Sequence, residues 1–378
     1  MNSLFHEGGS IEYLPNMDRD GCQALFIPVG IEKKSFAYLG MPEGEESVPA
    51  VILIHGGGGT AYTTWVNQWA RRGYAALAVD IEGAAECYCQ KEYRNLGLIR
   101  NGDFLDSNKP KEDQWMYQVI LTVMRAKLFL EGHSRIISQK IGLMGISWGG
   151  LAAANVISYD PGFSFCIAVY GCGCCKEESA YFGRVFRGNP RASLLWNPLE
   201  RLQGVQTPTL WVNGDNDDFF SILSTSRCKE AMPNARLAII PGFSHGHEPA
   251  WELEIPYFFA DSICKSGTAF PSIHIETADC NPQTIAVQIE EGDSAKTGHI
   301  QHIQIITSPQ WFLYDSYGHG CTPWQIRSEP VPHKNTFQVC LLEKAALVYI
   351  NCIDKNGAVY SSNVISFSYP LPQNFTEI

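Results

Sequence analysis

Residues Ile141-Gly-Leu-Met-Gly-Ile-Ser147-Trp-Gly-Gly150 constrain this chain more than any other stretch. An apolar run reads as a strand. It enters a turn carrying Gly145-x-Ser147-x-Gly149 and leaves as an alanine-rich helix, Leu151-Ala-Ala-Ala-Asn-Val-Ile. A strand feeding straight into a helix through so tight a turn presents the central serine on a strained backbone, with its hydroxyl projecting from the end of a sheet. Glycines two residues to either side let strand and helix approach without a Cβ in the way.

Further signals follow at strand ends. Val51-Ile-Leu-Ile-His55-Gly-Gly-Gly-Gly59-Thr60 is a buried-type strand running into a glycine loop, which can aim backbone N–H groups at a developing negative oxygen. Thr209-Leu-Trp-Val-Asn-Gly214-Asp-Asn-Asp217-Asp218 ends in an acidic turn, and Ala235-Arg-Leu-Ala-Ile-Ile-Pro-Gly242-Phe-Ser-His245-Gly-His247 delivers histidines. Serine, then aspartate, then histidine is the chain order of α/β-hydrolases.

The chain resembles that superfamily, in its branch of dienelactone hydrolases and acetyl xylan esterases. The resemblance is carried by His55-Gly-Gly-Gly-Gly-Thr60 with Trp65, Gly145-Ile-Ser-Trp-Gly-Gly150, Val169-Tyr-Gly-Cys-Gly173, Trp211-Val-Asn-Gly-Asp-Asn-Asp217 and Pro241-Gly-Phe-Ser-His245, and spans roughly residues 30–266. It implies ester hydrolysis, often of acetyl groups on plant polysaccharides, and a C-terminal β-sandwich-like domain. The fold expected is α/β, a doubly wound, mostly parallel sheet, followed by a smaller all-β sandwich. Residues 1–268 form the expected catalytic domain with an N-terminal extension, and residues 269–378 the sandwich. That sandwich is expected to pack on the catalytic domain or to join copies into a homo-oligomer.

In this reading Ser147 is the nucleophile, His245 its base and Asp217 the acid that orients the imidazole. The amides of Trp148 and Gly57 are the oxyanion donors, with Gly58 the alternate. Asp215 and Asp218 remain rivals to Asp217, and His247 to His245. Gly242-x-Ser244-x-Gly246 repeats the serine motif, but no compatible aspartate and histidine follow it in the first domain. His55 reads as support for the glycine loop. His299 and His302, three apart on a strand, face opposite sides and do not share a metal. Trp65, Trp148 and Tyr181-Phe182 are candidates for a sugar-binding wall, although aromatics in a chain of this size more often belong to the core.

Composition narrows the classes. A chain of 378 residues has length for two or three units at about 150 residues each. Its net charge of −11 argues against nucleic acid, which is bound by clustered Lys and Arg. Thirteen cysteines cannot all pair internally, and neither Cys87-Tyr-Cys89 nor Cys172-Gly-Cys174-Cys175 has the CxxC spacing of zinc sites. No metal and no organic cofactor is expected. Met1–Glu7 has no basic stretch leading into an apolar one, so the protein is expected to be cytoplasmic, or secreted if a leader has been removed. The uncharged run between Lys140 and Asp160 is broken by glycines, serines and Asn155, fitting strand–turn–helix rather than a membrane span. A small-molecule or carbohydrate ester is the expected substrate. The rival classes are a prolyl-oligopeptidase-type peptidase and a non-catalytic glycan- or partner-binding protein.

Helices are expected over Thr60–Gly73 and through the stripe Met116, Val119, Ile120, Val123, Met124; a loop over the site at 82–111; and an insertion at 172–206. Beyond Gly267, short strands at 272–280, 284–291, 299–307, 337–342, 346–353 and 359–369 are expected, the last two joined through Lys355-Asn-Gly357.

Overall fold

A computed structural model describes residues 10–30, 33–83, 105–175, 180–267, 270–278, 283–290 and 300–367. Nine strands form its large sheet: β1 (Glu12–Tyr13), β2 (Gln23–Pro28), β3 (Lys34–Gly40), β4 (Val48–Ile54), β5 (Ala75–Val79), β6 (Ile136–Ile146), β7 (Cys166–Val169), β8 (Thr209–Gly214) and β9 (Ala235–Ile240). Their order is β1-β2-β3-β5-β4-β6-β7-β8-β9. From β5 to β9 all neighbours are parallel, while β1, β2 and β3 pair antiparallel at one end.

This order has a switch point. From β4 the chain crosses to β5 on one side, and it later returns to β6 on the other, with Ile54 aligned to Gly145. Loops leaving the carboxyl ends of β4 and β6 therefore diverge and leave a crevice between them, where α/β sheets place their ligands. The glycine loop and Ser147 are the two segments that open there.

Helices α1 (Thr63–Arg71), α2 (Trp115–Glu131), α3 (Trp148–Tyr159), α4 (Tyr181–Gly188), α5 (Pro190–Trp196), α6 (Ile222–Ala231), α7 (His247–Glu252) and α8 (Ile255–Asp261) cover both faces. Period-two alternation divides the strands between two cores. Ala50, Ile52, Ile54 and Leu143 pack with α2, α3 and α6, whereas Val51, Leu53, Met144 and Ile146 pack with α1, α7 and α8. Burial on both faces is why these strands read as unbroken apolar runs. No helix among the described residues is long and apolar enough to cross a membrane.

Downstream come β10 (Ser272–Thr277), β11 (Thr284–Glu290), β12 (Ile300–Ser308), β13 (Gln325–Pro330), β14 (Thr336–Cys340), β15 (Leu347–Asp354), β16 (Val359–Ser361) and β17 (Ile365–Ser366). They form two antiparallel sheets, β10-β11-β14 and β13-β12-β15-β16 with β17 also on β15. The β15–β16 hairpin turns at Gly357, φ +81°, where the Asp354 carboxylate accepts from the Asn356 and Ala358 amides.

Three features depart from expectation. Strand β2 was not anticipated, because the short apolar run Ala24–Ile27 shows no period that separates strand from helix. Strand β13 is polar and largely exposed, so no hydrophobic pattern announces it. The 172–206 insertion carries α4 and α5, the latter begun by Asn189, whose side chain accepts from the Ala192 amide, and by Pro190. Most of the 82–111 loop, Cys87, Cys89 and His299 lie outside the described residues, and His302 is half-buried on β12.

Strand β15 is buried on both sides. Val348, Ile350 and Cys352 join the core shared by the C-terminal sheets and α8, while Leu347 and Tyr349 face the opposite core. Asn351 on that second face donates to the Ile239 carbonyl at 3.0 Å and accepts from Ser361 Oγ at 2.6 Å, which in turn accepts from the Ile239 amide at 2.7 Å. Strand β9 is thereby closed at its outer edge by two side chains rather than by another strand. We expect Asn351→Ala, which leaves a buried carbonyl without its donor, to cost about 2 kcal/mol of stability. Urea unfolding of the two proteins checks this, and equal midpoints would contradict it.

Candidate active site

Ser147 caps α3 with φ 55° and ψ −118°, outside the regions open to an unstrained L-residue. Its surroundings enforce that geometry through backbone packed on backbone. A Cβ at Gly145 would lie 2.1 Å from the Gly149 carbonyl oxygen, one at Gly149 2.2 Å from that of Ile54, and one at Gly171 2.2 Å from that of Ser147. The Ser147 amide donates to the Val169 carbonyl at 2.7 Å, tying the turn to the end of β7.

The candidate acid, Asp217, comes from the turn after β8. Asp217 Oδ1 accepts from the Phe219 and Phe220 amides at 2.9 and 2.8 Å, leaving Oδ2 to accept from His245 Nδ1 at 2.6 Å. Since the carboxylate only accepts, Nδ1 carries the proton, and Nε2 faces the Ser147 hydroxyl at 2.7 Å as acceptor. The Asp217 side chain is fully buried, whereas that of His245 is 18% exposed, so the relay opens outward only at its histidine–serine end. Gly214 permits this approach, as a Cβ there would lie 2.2 Å from the Phe243 carbonyl oxygen on the histidine loop.

The other candidates are engaged elsewhere. Asp215 accepts from the Gly242 amide, and burial raises its pKa. Asp218 faces Gly320 and His319. The Ser244 carbonyl accepts from the Tyr170 hydroxyl at 2.6 Å. Trp65 and Trp148 are not available to an open cleft, being 0% and 1% exposed; Trp148 stacks on Trp115 and meets a tilted Phe182 inside the core. Tyr181 is 46% exposed and meets Phe219, which packs against the His245 ring at 4.7 Å.

Three contributions escaped sequence reasoning. Tyr170 adopts φ +59° at the end of β7, tilts its ring over His245 at 4.5 Å and holds the histidine loop through Ser244. Its position in Val169-Tyr-Gly-Cys-Gly173 was visible, but no local pattern revealed its partner. Glu82 accepts from the Gly58 amide at 3.1 Å, so the amide considered as alternate oxyanion donor is already bonded. His247 Nε2 accepts from the Gly56 amide at 2.9 Å. His55 donates from Nδ1 to the Gly56 carbonyl at 2.7 Å and accepts at Nε2 from the Ile81 amide at 2.9 Å. That tautomer makes the 3.5 Å approach of its Nε2 to Asp80 a neutral contact rather than an ion pair. The glycine loop is thus held from both sides by imidazoles. Among the described residues no cluster of His, Cys, Asp and Glu has the makings of a metal site.

The family model for dienelactone hydrolases matches residues 36–249, more than half the chain. No curated protein sequence matches it. Similar solved structures include acetyl xylan esterase 1 from Thermoanaerobacterium sp. JW/SL YS485, at 15% identity over 69% of this chain and 91% of that one, TM-score 0.55. Another is the acetyl xylan esterase from Paenibacillus sp. R4, at 17% identity over 68% and 90%, TM-score 0.54. A Mycobacterium tuberculosis puromycin-hydrolyzing peptidase matches at 18% identity over 66% of this chain but only 40% of that one, TM-score 0.51. At these identities the likeness establishes the fold.

Burial pushes the His247 pKa down from 6.5 to about 4. The unfolded chain therefore binds the proton more readily. This residue's contribution to stability is complete above pH ~6.5 and is lost as pH falls towards 4, a difference of up to roughly 3 kcal/mol. His247→Gln keeps an acceptor for the Gly56 amide without titrating. It should flatten the decline in urea midpoint between pH 7 and 4, and identical slopes in both proteins would show that His247 protonates normally when folded.

Proposed function

This chain belongs to the dienelactone hydrolase family, and from that premise we propose that it is a serine carboxylic-ester hydrolase working through an acyl-enzyme. The observation that carries the reading is the unbroken pair of short hydrogen bonds from Asp217 to His245 to Ser147. His245 Nε2 takes the hydroxyl proton as Ser147 Oγ attacks the ester carbonyl, and the imidazolium is stabilised by Asp217. The carbonyl oxygen becomes an oxyanion beside the Trp148 amide, in the first turn of α3 where no intrahelical acceptor exists. Gly57 is the second donor in this reading, since the Gly58 amide is bonded to Glu82. Protonated His245 then releases the alcohol, and water, activated by the same imidazole, hydrolyses the acyl-serine.

The substrate we propose is a small acyl ester, acetate on a carbohydrate foremost. Two acetyl xylan esterases among the similar folds support this choice, as does the half-exposed Tyr181 beside Phe219, an apolar surface on which a sugar ring can rest. We further propose that residues 1–268 and 269–378 are separate domains.

The test is hydrolysis of p-nitrophenyl acetate and longer-chain esters, with aminoacyl p-nitroanilides alongside to detect a peptidase. Ser147→Ala should lower kcat on the order of a million-fold and Asp217→Asn about ten-thousand-fold, with the wild-type rate unchanged by EDTA. Activity surviving in Ser147→Ala, or turnover of anilides in preference to esters, would overturn the esterase reading.

A further inference from the structure

The connection between β12 and β13 crosses from the C-terminal sheets to the acid turn. Residues 313–322 within it form a small hairpin with its own bracing. Tyr314 bridges Gly320, the Cys321 amide donates to the Leu313 carbonyl at 2.9 Å, and the Leu313 amide donates to Thr322 Oγ1 at 3.2 Å. At its tip Asp315 Oδ1 accepts from the Tyr317 and His319 amides at 2.8 and 2.9 Å. Such bracing gives the hairpin a fixed shape before it meets anything else.

What it meets is both neighbours of Asp217. The Thr322 amide donates to Asn216 Oδ1 at 2.9 Å, and Asn216 Nδ2 donates back to the Thr322 carbonyl at 3.4 Å. The Gly320 amide donates to Asp218 Oδ1 at 2.7 Å, while His319 Nδ1 lies 2.9 Å from Asp218 Oδ2. Just beyond the hairpin, Trp324 Nε1 donates to the Asp215 carbonyl at 3.1 Å. Gly320 lies so close that a Cβ would stand 2.5 Å from the Asn216 carbonyl oxygen. From the opposite side the amides of Tyr181 and Phe182 donate to the carbonyls of Asp218 and Phe219, both at 3.1 Å. The acid turn is therefore gripped at residues 215, 216 and 218, and residue 217 alone is left pointing at His245.

We propose that this hairpin is a positioning device for the acid Asp217, acting through Asn216 and Asp218, so that turnover by the catalytic sheet depends on a segment supplied by the C-terminal sheets. The proposal rests on the esterase reading above. Physically, a reacting constellation must be held within ~0.5 Å and 10–20° of its working geometry, and misplacement by about 1 Å costs on the order of a hundredfold in rate. The turn's own Phe219 and Phe220 amides hold Asp217 Oδ1. Hydrogen bonds from the braced hairpin hold the residues on either side of it. Among the described residues no hydrogen bond joins the hairpin to Ser147 or His245, so it acts on the rate through Asp217.

Gly320→Ala tests this, because its methyl group forces the hairpin off Asn216. On p-nitrophenyl acetate kcat should fall about ten- to a hundredfold with KM within about twofold of wild type. Asp218→Ala should do the same, while Asp218→Asn, which still accepts from the Gly320 amide, should recover most of the loss. In an Asp217→Ala background Gly320→Ala should cause no further decrease, since the group it positions is gone. Should Gly320→Ala fail to fold, Asn216→Ala removes the Thr322 contact and carries the same expectations. A normal kcat in the folded variant, a defect confined to KM, or a loss that adds in full to that of Asp217→Ala would each overturn the positioning role. These results are separable from failure of the esterase reading, which shows itself as activity persisting in Ser147→Ala.

Discussion

Everything at the site depends on a backbone conformation that Ser147 cannot hold alone. A serine at φ 55° and ψ −118° carries a local cost of about 1–3 kcal/mol, and only rigid surroundings keep it there. They are backbone atoms: Gly149 against the Ile54 and His55 carbonyls, Gly145 against Gly149, and Gly171 against the Ser147 carbonyl. Side chains could yield by changing rotamer, but a strand fixed in a nine-stranded sheet cannot. Strain at one residue is thus balanced by cohesion distributed over β4, β6 and β7.

From that fixed point the other groups follow by geometry. Parallel pairing aligns the carboxyl ends of β4, β6, β7, β8 and β9 along one rim. The glycine loop, the serine, Tyr170, the acid and the histidine each belong to the first few residues past one of those ends. The sheet thus sets how close these groups come, and segments between strands, such as the 313–322 hairpin on the acid turn, brace what the strand ends have placed.

That arrangement explains what the sequence could reveal. Glycines at 145 and 149 around Ser147, the glycine loop after Ile54 and the acids after Gly214 are local signatures, because each answers a demand made within a few residues. The choice between His245 and His247 was open on spacing, and geometry separates them: His245 bonds both Ser147 and Asp217, while His247 serves the Gly56 amide. Glu82 on Gly58, Tyr170 on Ser244 and the 313–322 hairpin on the acid turn were illegible. Their partners lie 24 to 106 residues away, and nothing near them in the chain requires those contacts. Strands β2 and β13 were missed for a simpler reason: the apolar run of one is only Ala24–Ile27, and the other exposes polar side chains on an edge. Trp65 and Trp148 take the commoner part of large aromatic residues, packing the core rather than walling a ligand site.

Closure of β9 by Asn351 and Ser361 bears on how the molecule behaves among its own copies. An uncovered parallel edge invites another chain to add a strand. Here the Ile239 amide and carbonyl, which such a strand would seek, are taken by side chains that stop pairing instead of extending it. At the far end of the same sheet β1 has two residues, too few to template a neighbour. The broad sheet that the chemistry needs is thereby kept from growing, and its C-terminal companion works as a terminator of strand addition as much as a second lobe.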